Sequence, residues 1–144
     1  MKFIADVMLG RLAKRMRLLG FDVLYDRTLD DNEVIRLALE GDRVILTRDG
    51  SLVARPLAAN HLLISSDFVR EQIAQVLSAF PLEALHPLTR CSTCNAHLDP
   101  IGRQHARDLV PRQVYDTMES FLLCPRCGKI YWNGTHVRRM ALPD

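Results

Sequence analysis

A parallel α/β sheet flanked by helices, with a small metal-clasped unit behind it, is the architecture this sequence predicts, on three observations. In the first 80 residues short apolar runs alternate with segments of helical period, the pattern of βαβ units with helices on both faces of the sheet. The apolar runs are contiguous rather than alternating, as strands buried on both sides require. Four cysteines in two Cys-x-x-Cys pairs lie in the last third of the chain, outside that pattern.

The elements follow in order. Residues 2–7 read as a short buried strand in which Phe3-Ile4-Ala5 runs into Asp6; the run is too short for a helix. Leu12, Met16 and Leu19 then share one face of a helix from Leu9 to Leu19, with Arg11, Lys14, Arg15 and Arg17 over much of the rest. Gly20 stands where a helix C-cap needs positive φ. Asp22 to Tyr25 is a second strand. Asp30-Asp31-Asn32-Glu33 looks like the capped start of a helix through Val34, Leu37, Ala38 and Leu39, stopped by Gly41. Arg43 to Thr47 is the clearest strand. A weaker one at His61 to Ile64 precedes a helix over about 67–80, with Val69, Ile73, Val76 and Phe80 on one face. Two prolines and no consistent period in 81–87 suggest a linker. The division expected is 1–80 for the α/β domain, 81–90 for the linker and 91–144 for the second unit.

Composition bounds the function without choosing it. A chain of 144 residues with 48% hydrophobic residues supports one respectable core and a satellite that needs extra help to stay folded. The formal net charge of +2 is too small for gross attraction to polyanions. Met1 to Asp6 reaches an acid too early for a signal peptide, and no run approaches the roughly 18 apolar residues of a membrane span. A cytoplasmic protein without a membrane partner is expected, and in that setting paired Cys-x-x-Cys reads as a metal site rather than disulfides.

Each strand-like run leads to acid: Asp6 after the first, Asp30 and Asp31 after the second, Asp49 after the third and Asp67 after the fourth. Laid parallel, these acids converge at the carboxyl edge of the sheet, where open α/β sheets bind ligands. Crowded carboxylates repel one another unless a hard cation such as Mg²⁺ or Mn²⁺ lies between them. Duller roles compete: capping is a sufficient reason for one of Asp30 and Asp31, Glu33 can complete a capping box, and Asp67 can be a first-turn acid. Asp6 has no such excuse, since it interrupts the apolar stretch Phe3 to Leu9 and a buried lone carboxylate costs several kcal/mol. Asp6 and Asp49 are therefore the expected pair of metal ligands. Carboxylate-held Mg²⁺ or Mn²⁺ suits phosphodiester hydrolysis. Arg11, Lys14 and Arg15, on the helix that starts just after Asp6, can hold flanking phosphates, or they form a solvated helix face.

Cys91-Ser-Thr-Cys94 and Cys124-Pro-Arg-Cys127 are two turns that can clasp a tetrahedral ion from opposite sides, as in zinc ribbons. Four thiolates leave no open position, so this zinc is expected to be structural and to supply folding free energy. Tyr131 and Trp132 with Lys129, His136, Arg138 and Arg139 mix aromatics with bases, a pattern that serves nucleic-acid stacking or the packing of a small ribbon.

The strings Ala5-Asp6 through Gly20, Asp30-Asp31-Asn32-Glu33, Ile45 through Asp49, Arg90 through Asn95 and Cys124 through Trp132 together resemble the PIN-like ribonuclease domain of the Mut-seven carboxy-terminal type, over nearly the whole chain. The resemblance implies a PIN-like fold followed by a zinc ribbon, and a metal-dependent endoribonuclease site. In that site Asp6, Asp31 and Asp49 hold Mg²⁺ or Mn²⁺, Asp67 is the nearest candidate for a fourth acid, and Arg11, Arg15 and Arg48 fall where the family carries bases. It implies RNA, in particular single-stranded RNA, as the partner. A non-catalytic RNA- or ribosome-binding adaptor is the competing reading, and a protein inhibitor or ribosomal partner stays unspecified. A small-molecule phosphatase is disfavoured, because Asp6-Val7-Met8 lacks an Asp-x-Asp start and no Walker-type glycine loop occurs.

Overall fold

The computed structural model describes residues 1–80 and 85–134. Strands β1 (Lys2–Ala5), β2 (Asp22–Leu24), β3 (Arg43–Thr47) and β4 (His61–Leu63) form one sheet in the order β2-β1-β3-β4, all parallel. Helices α1 (Gly10–Leu18), α2 (Asp31–Gly41), the single turn α3 (Gly50–Val53) and α4 (Val69–Ala79) flank it. This is the mixed α/β architecture expected.

The contiguous strands divide their side chains between two cores, as period-2 geometry demands. Phe3, Ala5, Val44 and Leu46 pack on one face with Leu12, Met16 and Leu19 of the α1 region and Ile73 and Val76 of α4. Ile4 and Ile45 pack on the other with Val34, Ile35 and Ala38 of α2 and Leu52 of α3. From β1 the chain crosses outward to β2, then returns over β1 to β3 and on to β4. The direction of winding therefore reverses between β1 and β3, and the crevice at the carboxyl ends of those two strands is the topological switch point. Asp6 follows β1 there and Asp49 follows β3 closely.

Element boundaries differ modestly from the sequence reading, for local reasons. Asp6 closes β1 and caps a single 3-10 turn, Val7–Leu9, so α1 begins at Gly10 rather than Leu9. Helix α4 starts at Val69 because the segment before it is held extended by side chains, the Phe68 N–H donating to Ser66 Oγ at 3.0 Å. Of the linker read over 81–90, residues 81–84 lie outside the described residues.

The second unit is an antiparallel sheet, β5 (Asp99–Ile101), β6 (Phe121–Leu123) and β7 (Ile130–Tyr131), in the order β5-β6-β7. Two short helices, α5 (Arg103–Ala106) and α6 (Arg112–Thr117), are inserted between β5 and β6, with the Arg103 guanidinium 3.8 Å above the Tyr115 ring. Nothing in the sequence reading marked this insertion. Among the described residues no helix is long and apolar enough to cross a membrane.

The two units share one hydrophobic cluster, in which Cys91, Cys124 and Tyr131 join Phe3, Leu12 and Val23. Arg17, placed by its spacing off the apolar face of the first helix, is nevertheless only 4% exposed. Its Nε donates to Val23 O at 2.9 Å and its Nη1 to Ser92 O and Thr93 O at 3.0 and 3.1 Å. Asn95, at φ 66°, accepts from the Val23 N–H at 3.1 Å and donates to Asp22 Oδ1 at 2.7 Å. Strand β2 is an edge, so the outward N–H and C=O of Val23 have no neighbouring strand to pair with. Arg17 and Asn95 satisfy both, which removes a buried polar cost and blocks the edge.

After the linker the chain returns along the end of α1, where His86 N–H donates to Leu19 O at 3.0 Å and Leu88 N–H to Leu18 O at 2.9 Å. Gly20 makes this possible: its φ is +101°, and a Cβ there would lie 2.4 Å from His86 O. Gly20→Ala is expected to lower stability by about 2–4 kcal/mol, strain in the left-handed region adding to displacement of the returning chain. The check is the denaturant midpoint against wild type.

Candidate active site and metal centre

Asp6 stands at the switch point with 5% of its surface exposed. Its position is fixed from both sides. Its backbone N–H continues the sheet to Leu46 O at 2.9 Å, its Oδ1 accepts from the Val7 N–H at 2.6 Å, and its Oδ2 accepts from the Thr47 hydroxyl at 2.8 Å. Thr47 Oγ1 in turn accepts from the Asp49 N–H at 3.0 Å. One buried hydroxyl thus links the carboxylate at the end of β1 to the backbone of the acid after β3. These bonds answer the cost of burying a carboxylate, which an apolar neighbour could not offset.

Asp49 caps α3, its Oδ1 accepting from Ser51 N–H at 2.9 Å and Ser51 Oγ at 2.7 Å. The Ser51 hydroxyl and amide hold its carboxyl below the usual carboxylate range. At the head of α2 the competing roles separate. Asp30 is the N-cap and forms a full capping box with Glu33. Asp31 has no part in that box, and its carboxyl is pushed above the usual range by burial first, then by the charges of Asp6 and Asp49. Asp31 is therefore the acid of α2 that feels the other two across the switch point.

The folded chain holds the Asp31 proton more tightly than the unfolded chain does. Its contribution to metal-free stability is therefore present at and below the ordinary aspartate range and is lost as pH rises through the raised value. Asp31→Asn is expected to flatten that fall and to stabilise the metal-free chain at neutral pH by about 0.5 kcal/mol or less, since the group is largely solvated. Melting temperatures of the two proteins across pH 3 to 8, each roughly bracketing the carboxylate range, check this.

The bases fall into two groups. Arg11 and Lys14 are exposed on α1 and Arg15 is half-buried one turn from Arg11. Arg48 is paired with Asp67, whose side chain is 74% exposed. Asp67 lies, with Met8, Gly10, Arg11, Val69 and Gln72, along a groove of about 290 Å³ that opens beside the switch point. The Arg48 Nε is buried without a hydrogen-bond partner.

The four cysteine sulfurs lie within 4.8 Å of one another, and among the described residues this is the only such group of three or more metal-ligating side chains. The acids of the switch point are not drawn together so tightly. Cys91 Sγ and Cys127 Sγ are 3.7 Å apart, close to the roughly 3.8 Å that ~2.3 Å Zn–S bonds impose on a tetrahedron. Both turns send an N–H back to a sulfur, Cys94 N to Cys91 Sγ at 3.4 Å and Cys127 N to Cys124 Sγ at 3.5 Å. Tyr131 Oη lies 3.1 Å from Cys91 Sγ and accepts from the Ser92 N–H at 2.9 Å. Burial pushes the Cys91 thiol up, but hydrogen bonds from Tyr131 and from the Cys94 and Thr93 amides outweigh it and bring it down to about 6. Burial and the neighbouring sulfurs push Cys94 up to about 12. Four thiols in one pocket cannot all ionise alone, and a divalent cation removes that conflict. The four cysteines are thus positioned to bind a metal ion and fit a zinc ribbon.

Several functional residues escaped the sequence reading. Thr47 reads there as the last residue of a strand, Arg17 only as one of the bases on the first helix, and Asn95 is given no role of its own. The one available signal is that a Thr two residues before Asp49 belongs to the same strand end. Tyr131 packs and supports the cysteine turn, while Trp132 is half-buried. His136, Arg138 and Arg139 lie outside the described residues.

No curated protein and no solved structure gives a match. The family model described as the Mut7-C RNAse domain matches residues 1–142, spanning both the acidic switch point and the cysteine quartet. The chain belongs to the Mut7-C RNAse domain family.

Proposed function

We propose that this protein is a metal-dependent endoribonuclease of PIN-like fold that hydrolyses phosphodiester bonds of single-stranded RNA. The observation that carries the reading is the Asp6–Thr47–Asp49 link at the switch point, with Asp31 near enough that, after burial, the charges of the other two raise its carboxyl. Asp6, Asp31 and Asp49 are the residues that would hold Mg²⁺ or Mn²⁺. Such an ion supplies a hydroxide nucleophile near neutral pH and offsets charge developing on the phosphoryl oxygens.

The chain's own groups do the rest. Thr47 and the Val7 amide orient the Asp6 carboxylate, and Ser51 keeps Asp49 ionised. Arg11, Lys14 and Arg15 hold phosphates on either side of the cut, a sequence-independent attraction that favours an extended strand. Arg48 orients Asp67, which stands as a fourth acid at the groove beside the site. Zinc on Cys91, Cys94, Cys124 and Cys127 is structural, and the ribbon it closes presents RNA to the α/β domain. Free thiols in this arrangement suit a reducing, cytoplasmic compartment.

The α5–α6 insertion supports RNA contact by the ribbon, since Arg107 and Arg112 are exposed on it. On that ground an RNA- or ribosome-binding adaptor is the reading to set against the enzyme. Labelled single-stranded RNA incubated with zinc-loaded protein should be cut internally in Mn²⁺ or Mg²⁺, and Asp49→Asn should lose the cutting while still binding RNA. Binding without cutting in either metal, identical for wild type and Asp49→Asn, would establish the adaptor instead.

A further inference from the structure

Beside the acidic site the surface carries an apolar feature that neither the fold nor the proposed chemistry uses. Phe68 is 70% exposed, as is Met8. An exposed phenyl ring on a loose loop would need no explanation. This one is on a braced segment. Ser65 N–H donates to Gln75 Oε1 at 3.0 Å, Gln75 Nε2 donates to Leu63 O at 2.8 Å, and the buried Gln72 donates from Nε2 to Ser66 O at 2.8 Å. The Phe68 N–H is held by Ser66 Oγ, and the preceding Asp67 by Arg48. Leu63, Ser65 and Ser66 belong to the end of β4 and the turn beyond it, so the ring is presented from a rigid platform at the carboxyl edge of the sheet.

Phe68 lies in the chain between Asp67 and Val69, both of which line the 290 Å³ groove, as does the exposed Met8. Among the described residues that line this groove the only cation is Arg11, and the Asp67 charge is already met by Arg48. The groove thus offers a positive charge and a solvent-facing methionine, with a solvent-facing phenyl ring on the residue between two that line it. A phosphate with a base attached satisfies both halves of such a site. A base offers its π-face to the ring while its backbone phosphate meets the guanidinium. A paired base is already stacked between its neighbours and cannot do this without unstacking, so the site selects unpaired nucleotides.

We infer that Phe68, with Met8 in the adjoining groove, is a stacking platform that seats one unpaired nucleotide next to the acidic site, its phosphate on Arg11. This rests on the ribonuclease reading and adds what that reading lacks, a physical basis for preferring single strands. The platform's role is contact with the base, so it positions substrate rather than taking part in the chemistry.

The test separates the two claims by measuring binding apart from cutting. In an Asp6→Asn background, affinity for a fluorescent single-stranded oligoribonucleotide is read by anisotropy and compared with the same sequence in a duplex. Phe68→Ala is expected to weaken single-strand binding about tenfold, the usual loss of one base–aromatic stack, and to leave duplex binding unchanged. Phe68→Trp should restore it. In the wild-type background Phe68→Ala should raise KM for single strands by a similar factor with kcat little changed, which a merely structural role would not do. Equal single-strand affinity for Phe68→Ala and its parent, with melting temperatures matched, overturns the platform and leaves the nuclease standing. Absence of RNA binding and of Asp6-dependent cutting in the wild type overturns both.

Discussion

Asp6→Asn is expected to lower metal-dependent RNA hydrolysis by at least about a hundredfold while leaving the fold in place, because it removes one of the charges that would hold the catalytic ion without removing the group's hydrogen bonds. The amide oxygen can still accept from Val7 N–H, and its NH₂ can donate to Thr47 Oγ1, reversing the bond that the Thr47 hydroxyl makes to the carboxylate. Losing a charge also relieves Asp31. The metal-free variant should therefore be at least as stable as wild type, while the stabilisation that Mn²⁺ confers by binding the folded chain should be lost. That combination is informative, since a generally damaged protein would lose both. Two measurements settle it: cleavage rate in Mn²⁺, and melting temperature with and without Mn²⁺. Wild-type cutting by Asp6→Asn would show that the switch point is not the active site.

The second large effect concerns the cysteines. Structural Zn²⁺ binding by four thiolates is worth about 10–16 kcal/mol in small domains, more than a unit of this size can supply by burying apolar area. Stripping the metal with a strong chelator, or replacing buried Cys124 by Ser, is expected to unfold residues 91–134. The damage should spread one step into the α/β domain. With Ser92, Thr93 and Asn95 gone from the interface, Arg17 loses two of its carbonyl partners and the Val23 N–H loses its acceptor. Hydrogen exchange should therefore rise through β5 to β7 and at Val23 on the edge strand. Protection should persist in β1 and β3, which pair with each other at the centre of the sheet. Unchanged exchange over 91–134 after complete removal of metal would contradict the structural role.

How far each part could be read from the chain depends on how far apart its interacting atoms lie in sequence. Strand β3 was legible to the residue because Val44-Ile45-Leu46-Thr47 is a contiguous apolar run, and burial on both faces leaves that mark locally. The capping role of Asp30 and Glu33 was legible as one of several options, because a capping box is a four-residue pattern. The options could be separated only by seeing which carboxylate the box leaves over. Arg17 shows the converse. Its spacing on α1 places it off the apolar face, yet it is buried with Val23, Ser92 and Thr93 as partners, two of them in another unit of the fold, and no local pattern encodes a contact made across such a separation. Phe68 was hidden for a different reason, since it falls within the span read as α4 and off its apolar face, and only its exposure sets it apart.

Alone, the chain determined the parallel α/β class, the arrival of acids at strand ends and the paired cysteine turns, because hydrophobic period, strand length and Cys-x-x-Cys spacing are properties of consecutive residues. Only the tertiary structure decided which acids meet. The winding reverses between β1 and β3, and that reversal places Asp6, Thr47 and Asp49 side by side. It also decided that the cysteine unit docks on the β2 edge through Arg17 and Asn95, since an unpaired strand edge exists only once a sheet has formed.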